Sequence, residues 1–234
     1  QFFHIPANFL GKKAGYVNTG VWTKKAIKEA KYYGEVQVVA SSEDKNFTYI
    51  PKNFDIPSDL DYLYICANNT IYGTEYKCDI DSPVPLIADM SSDILSRPVD
   101  VSKYALIYGG AQKNVAPSGL TIAIIREDLL GNARDYCPTM LDYKVHADNA
   151  SLYNTPPCYT IYICKLVLEW IKSLGGLEAM AERNRKKAEI LYNFLDNSKM
   201  FKGTVVAEDR SLMNVPFVTG DDELNAKFVK EATA

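Results

Sequence analysis

VPLIADMSSDILSRPVDVSKYALIYGGAQKN, residues 84–114, contains two short apolar runs, each ending in side chains that can carry chemistry. Val84–Ala88 runs into Asp89, Ser91, Ser92 and Asp93, and Tyr104–Tyr108 runs into Gly109, Gly110 and then Lys113. Both runs are largely apolar on consecutive positions rather than alternating, the pattern of strands covered on both faces. The stretch therefore predicts an α/β fold, a three-layer arrangement in which a sheet of mostly parallel strands is covered by helices. Ligands of such open sheets bind just outside the strand ends, where loops hold reactive groups on a rigid support.

Outward from this stretch, Val36–Ala40, Tyr62–Cys66 and Leu120–Ile125 are further apolar runs bounded by turn residues, and they read as strands. Val21, Trp22, Ala26, Ile27 and Ala30 recur at helical spacing, which predicts a helix over about 20–33 with Asn18 or Thr19 as its cap and Gly34 as its terminator. Beyond Thr160 the chain turns helical, first over Ile161–Ser173 and then over Leu177–Phe194. Arg183, Arg185, Lys186 and Lys187 read as the solvated face of the second helix, opposite Leu177, Met180, Ala181, Ala188, Leu191 and Leu195. Thr204–Ala207 and Met213–Phe217 are strand candidates, followed by a helix from about Asp221. The division expected is a large α/β domain over 1–172 and a small α+β C-terminal domain over 173–234. Apolar residues at the start and an amphipathic pattern at the end suggest that both are incomplete.

With 47% hydrophobic and 24% charged residues among 234, the composition is that of a globular protein with a substantial core. A net charge of -3 offers no basic footprint for nucleic acid. No run approaches the roughly 20 apolar residues of a membrane span, so no membrane partner is expected and a cytoplasmic location is the default. The five cysteines include no C-x-x-C pair, so neither a disulfide framework nor a metal site is expected; they read as small buried residues.

Lys113, at a strand end, is placed to act as an amine nucleophile if the site withdraws it from water. The segment by itself favours an ordinary exposed lysine. Asp89, at the end of another strand, is equally readable as a helix or turn cap. If the two strands are near neighbours, a cofactor with a basic ring nitrogen and an aldehyde would bridge carboxylate and amine. Thr70, in the polar turn after Tyr62–Cys66, can bond a ligand oxygen or close an Asx turn. Trp22 offers a flat face for stacking or fills a core. No G-x-x-x-x-G-K-[ST] spacing exists, which excludes a P-loop.

Taken together, Ile5-Pro6-Ala7-Asn8, GVWTKKAIKEAKYYG (20–34), ANNTIYGTEY (67–76), IADMSSDILSRPVDVSKYALIYGGAQKNVAPSGLTIAIIREDLLG (87–131), YNTPP (153–157) and NVPF (214–217) resemble the phosphoserine aminotransferases, which are class-V, fold type I enzymes dependent on pyridoxal 5'-phosphate (PLP). The resemblance makes 1–172 the PLP-binding large domain. It implies that Lys113 holds the cofactor as a Schiff base and moves the substrate proton, and that Asp89 pairs with the ring nitrogen. It further implies that Trp22 stacks on the ring, that Thr70 bonds its polar edge and that Gln112 lies near its phosphate. Asn154 and Thr155 are similar to residues that reach the cofactor phosphate of a neighbouring subunit, which implies a homodimer with shared sites. The implied reaction moves an amino group between glutamate and 3-phosphohydroxypyruvate, in serine and possibly pyridoxine biosynthesis. The family's glycine-rich phosphate turn and its substrate-gripping His-Arg pair have no match between Gln1 and Ala234. An alanine-glyoxylate aminotransferase or cysteine desulfurase relative would share the Asp and Lys logic, and a truncated non-catalytic remnant is the other alternative.

Overall fold

A computed structural model describes residues 1–234. Six strands, β1 (Lys13–Asn18), β2 (Glu35–Ser41), β3 (Leu63–Cys66), β4 (Leu86–Asp89), β5 (Leu106–Gly110) and β6 (Thr121–Ile125), pair in the order β2-β1-β3-β4-β5-β6. Every pairing is parallel except β5 with β6, so the sheet is the mostly parallel one the apolar runs predict. The two central strands β3 and β4 are buried at every position. The edge strands β2 and β6 are half exposed, because each has a hydrogen-bonding neighbour on one side only and little covering it.

Alternation along the strands divides the core into two layers. One face gathers Leu63, Ile65, Leu86, Ala88 and Ile107 with Cys164 of α4 (Cys158–Ser173). The other gathers Tyr62, Tyr64, Ile87, Leu106 and Tyr108 beneath α1 (His4–Phe9), α2 (Val21–Ala30) and α3 (Tyr143–Asp148). Each fully buried aliphatic side chain here contributes about 1.5–3 kcal/mol of transfer free energy. β1 was missed as a strand, since KAGYVN has a glycine at its centre and polar ends. Gly15 leaves room for Leu60, whose Cδ1 would lie 2.6 Å from an added Cβ. Neither Asn18 nor Thr19 caps α2. Gly20 is the N-cap, and Thr23 Oγ1 accepts from the backbone N–H of Thr19 and Gly20 at 3.1 and 3.0 Å.

The C-terminal part contains α5 (Gly176–Asn197), β7 (Lys202–Gly203), β8 (Phe217–Val218) and α6 (Asp222–Ala232), with β7 and β8 paired antiparallel. The basic residues of α5 are exposed, and Arg185 pairs with Glu182 and Glu189. Its buried stripe runs through Met180, Ala188, Tyr192 and Leu195, so Tyr192 rather than Leu191 faces inward. Thr204–Ala207 is not a strand. The chain leaves β7 to place Asp209, whose carboxylate accepts from the Ile50 N–H at 2.9 Å and pairs with Lys52. Of the cysteines only Cys66 and Cys164 are buried; Cys78 and Cys158 are exposed. No helix is long and apolar enough to cross a membrane.

Candidate active site

The loops following β3, β4 and β5 meet at one end of the sheet. The Gly110 N–H donates to Ser91 Oγ at 3.1 Å, and Asn114 Nδ2 donates to Ile94 O at 2.7 Å, so the loop after β5 is tied to the loop after β4. Gly109 and Gly110 have no positive φ and complete β5. Gly109 instead makes room for Ile94, whose Cδ1 would lie 3.0 Å from an added Cβ.

Between these loops and the start of α2 lies a crevice of about 220 Å³ lined by Trp22, Asp89, Tyr108, Gln112 and Lys113, among others. Asp89 is 6% exposed, at the end of β4. Its Oδ1 accepts from the Ser91 N–H at 2.8 Å and its Oδ2 from the Tyr108 hydroxyl at 2.7 Å. The Ser91 bond is the turn the cap reading anticipates, yet the same carboxylate also lines the crevice, so the two readings are not exclusive.

Lys113 is exposed rather than withdrawn from water. Its Nζ donates to Thr70 Oγ1 at 2.6 Å and stands 5.2 Å from the centroid of the Trp22 ring. Thr70 sits in a turn closed by the Gly73 N–H donating to Asn69 O at 2.7 Å, with Asn69 Nδ2 donating to Thr74 Oγ1 at 2.9 Å, so the Asx turn is not formed. Asn68, next to it, donates to Ser92 Oγ and to Asn214 Oδ1, both at 2.8 Å, and so ties the site to the C-terminal segment.

Two ionisable neighbours of Asp89 are shifted. Burial first, and then the charges of Asp89 and Asp93, push the Cys66 thiol well up. Burial, reinforced by Glu75, pushes the Asp93 carboxyl up to about 7. Trp22 Nε1 is buried without a partner. Asn154 and Thr155 lie outside the crevice, exposed in the segment before α4. Tyr108 and Cys66 line the crevice without having been singled out, because a consecutive apolar run conceals which of its residues point to a ligand. No group of three or more His, Cys, Asp or Glu side chains is placed to share a metal ion.

The family model for class-V aminotransferases matches residues 10–234. A phosphoserine aminotransferase of Bacteroides fragilis is 57% identical over 235 residues, covering 100% of this chain and 66% of the relative. The solved phosphoserine aminotransferase of Bacillus circulans subsp. alkalophilus superposes with a TM-score of 0.96 at 46% identity, over 100% of this chain and 66% of its own. The PLP-bound phosphoserine aminotransferase of Trichomonas vaginalis gives a TM-score of 0.93 at 37% identity, over 100% of this chain and 69% of its own. The chain thus spans slightly less than two thirds of the length of the first curated relatives it matches. On the span of the family model and these identities, the chain belongs to the class-V aminotransferases.

Proposed function

We propose that the chain serves a PLP-dependent transamination between glutamate and 3-phosphohydroxypyruvate, the phosphoserine aminotransferase reaction, in serine and possibly pyridoxine biosynthesis. The observation that carries this reading is the convergence of an amine, a carboxylate and an indole, Lys113, Asp89 and Trp22, on one crevice at the strand ends. The donor set fits the cofactor. Asp89 is a hydrogen-bonded carboxylate suited to a ring nitrogen, Trp22 supplies a flat face, and its unpaired Nε1 and Gln112 are polar groups at the crevice wall.

When bound, PLP supplies an aldehyde that captures an amino group and a ring that accepts electrons. Asp89 would pair with the ring nitrogen and keep it protonated, and Trp22 would stack on the ring. Lys113 would hold the cofactor through its aldehyde, and its amine would be the base for the proton at the substrate Cα. Thr70, which meets Lys113 Nζ here, would bond the cofactor's polar edge, and Gln112 would lie near its phosphate. By the resemblance, Asn154 and Thr155, exposed and away from the crevice, would reach the cofactor phosphate of a second copy, with a homodimer as the working form. Residues 1–172 act as the cofactor-binding domain and 173–234 as the small domain. The working compartment is the cytoplasm.

Incubating the protein with PLP, glutamate and 3-phosphohydroxypyruvate should yield phosphoserine and 2-oxoglutarate. Turnover of alanine and glyoxylate in place of that pair would move the assignment to another class-V activity, and no turnover of either pair would favour a non-catalytic remnant.

A further inference from the structure

On the face of the sheet that carries Asp89, the hydroxyls of Tyr64 and Tyr108 lie 2.7 Å apart, and the Tyr108 hydroxyl is 2.7 Å from Asp89 Oδ2. An ionised carboxylate only accepts, so the Tyr108 proton is committed to Asp89. The Tyr108 oxygen must then accept from Tyr64. The chain of hydrogen bonds has one direction, from Tyr64 through Tyr108 to Asp89.

The sheet register builds this chain. Cys66, Asp89 and Tyr108 stand abreast across β3, β4 and β5, with Tyr64 one pleat behind on β3. Tyr64 is 1% exposed and Tyr108 4%. Tyr16 stacks on the Tyr64 ring at 4.9 Å between centroids, which holds its hydroxyl in line. Burial and then the Asp89 charge push the Tyr64 phenol well up; burial, Tyr64 and Asp89, in that order, do the same for Tyr108. Both remain donors at working pH. The other ionisable groups around Asp89 are Cys66, Asp93, Lys113 and the amino group of Gln1, which lines the same crevice. Packing alone does not call for these hydroxyls, since phenylalanine would fill the same layer without burying polar atoms. Aligned donors polarise one another, so the second tyrosine strengthens the bond made by the first.

We propose that Tyr108 and Tyr64 are positioning residues for Asp89: a one-way hydrogen-bond chain that fixes the carboxylate's orientation and keeps it a poor proton acceptor, so that the proton shared with a PLP ring nitrogen stays on the ring. This rests on the PLP reading above. Tyr108→Phe leaves Asp89 a better proton acceptor and the ring less positive. A less positive ring repels less the proton on the nitrogen that joins Lys113 to the cofactor.

The test is a pH titration of the visible absorbance of the PLP-loaded wild type, Tyr108→Phe and Tyr64→Phe, with thermal melting of the cofactor-free proteins as the control for folding. The midpoint should move up by at least about half a pH unit in Tyr108→Phe and less in Tyr64→Phe, as expected for loss of a charge-assisted bond and of its supporting neighbour. Turnover number should fall about tenfold in Tyr108→Phe while KM for glutamate stays within about twofold. Should Tyr108→Phe fail to fold, Tyr64→Phe, which keeps the Tyr108–Asp89 bond, carries the test through its smaller shift in the same direction. Unmoved midpoints in variants that bind PLP on Lys113 would overturn this inference alone. A wild type with no visible band would overturn the PLP reading and this inference with it.

Discussion

Replacing Asp93 with asparagine should stabilise the protein at neutral and alkaline pH and make little difference only below about pH 4. Asp93 is 4% exposed, its Oδ1 has no hydrogen-bond partner, and burial together with Glu75 raises its carboxyl from an ordinary 3.8 to about 7 against the opposing pull of Arg97. The folded state therefore keeps a proton that the unfolded chain releases. Stability drawn from that proton is complete below the unfolded value and is lost as pH rises through the folded one. At about 1.36 kcal/mol per pH unit over roughly three units, ionising Asp93 in place costs about 4 kcal/mol, an order-of-magnitude figure for a fully buried group. An asparagine has nearly the same shape and carries no charge, so the variant escapes the cost. Urea unfolding of both proteins, followed by circular dichroism from about pH 5 to about pH 8, should show the variant's advantage growing by roughly 1.4 kcal/mol per unit up to about pH 7 and then levelling. An advantage independent of pH, or a wild type that gains on the variant as pH rises, would refute the reasoning.

Lys113→Ala should abolish phosphoserine formation, by at least about a thousandfold, because Lys113 is the lysine that lines the crevice. Lys113 is exposed and makes one hydroxyl contact, so unfolding free energy should change by less than about 1 kcal/mol, which urea titration reads directly. Asp89→Asn should still bind PLP, seen as a visible band, while turnover falls by about a hundredfold or more as the ring becomes a poorer electron acceptor. Gly73→Ala should destabilise by about 1–3 kcal/mol in thermal melting, because residue 73 sits at φ +73° and an added Cβ would lie 2.2 Å from Pro216 Cδ.

The sheet was legible where burial on both faces wrote itself as consecutive apolar residues, as in Tyr62–Cys66 and Val84–Ala88. β1 was not, because it carries a glycine where Leu60 approaches, and a missing side chain leaves no apolar mark. β7 was misplaced for a related reason: Val205 is buried as a strand residue would be, but Asp209 and Ser211 pull the chain away to hydrogen-bond Ile50 and Asn68. At the candidate site, Asp89 and Lys113 were readable as charged groups at strand ends, and the register between β4 and β5 explains why both loops open on one crevice. The exposure of Lys113 was not readable, since it depends on what else covers the crevice mouth. Tyr64 and Tyr108 were hidden inside apolar runs. Only the parity of the strands, once paired, sets both hydroxyls on the Asp89 side of the sheet.

Reduction of the PLP-treated protein with borohydride, followed by peptide mapping, tests the central assignment most directly. The cofactor should be found fixed to Lys113 in a peptide spanning the end of β5, and pre-treatment of the Lys113→Ala variant should leave that peptide unlabelled. Label recovered on another lysine, or none at any, would contradict it.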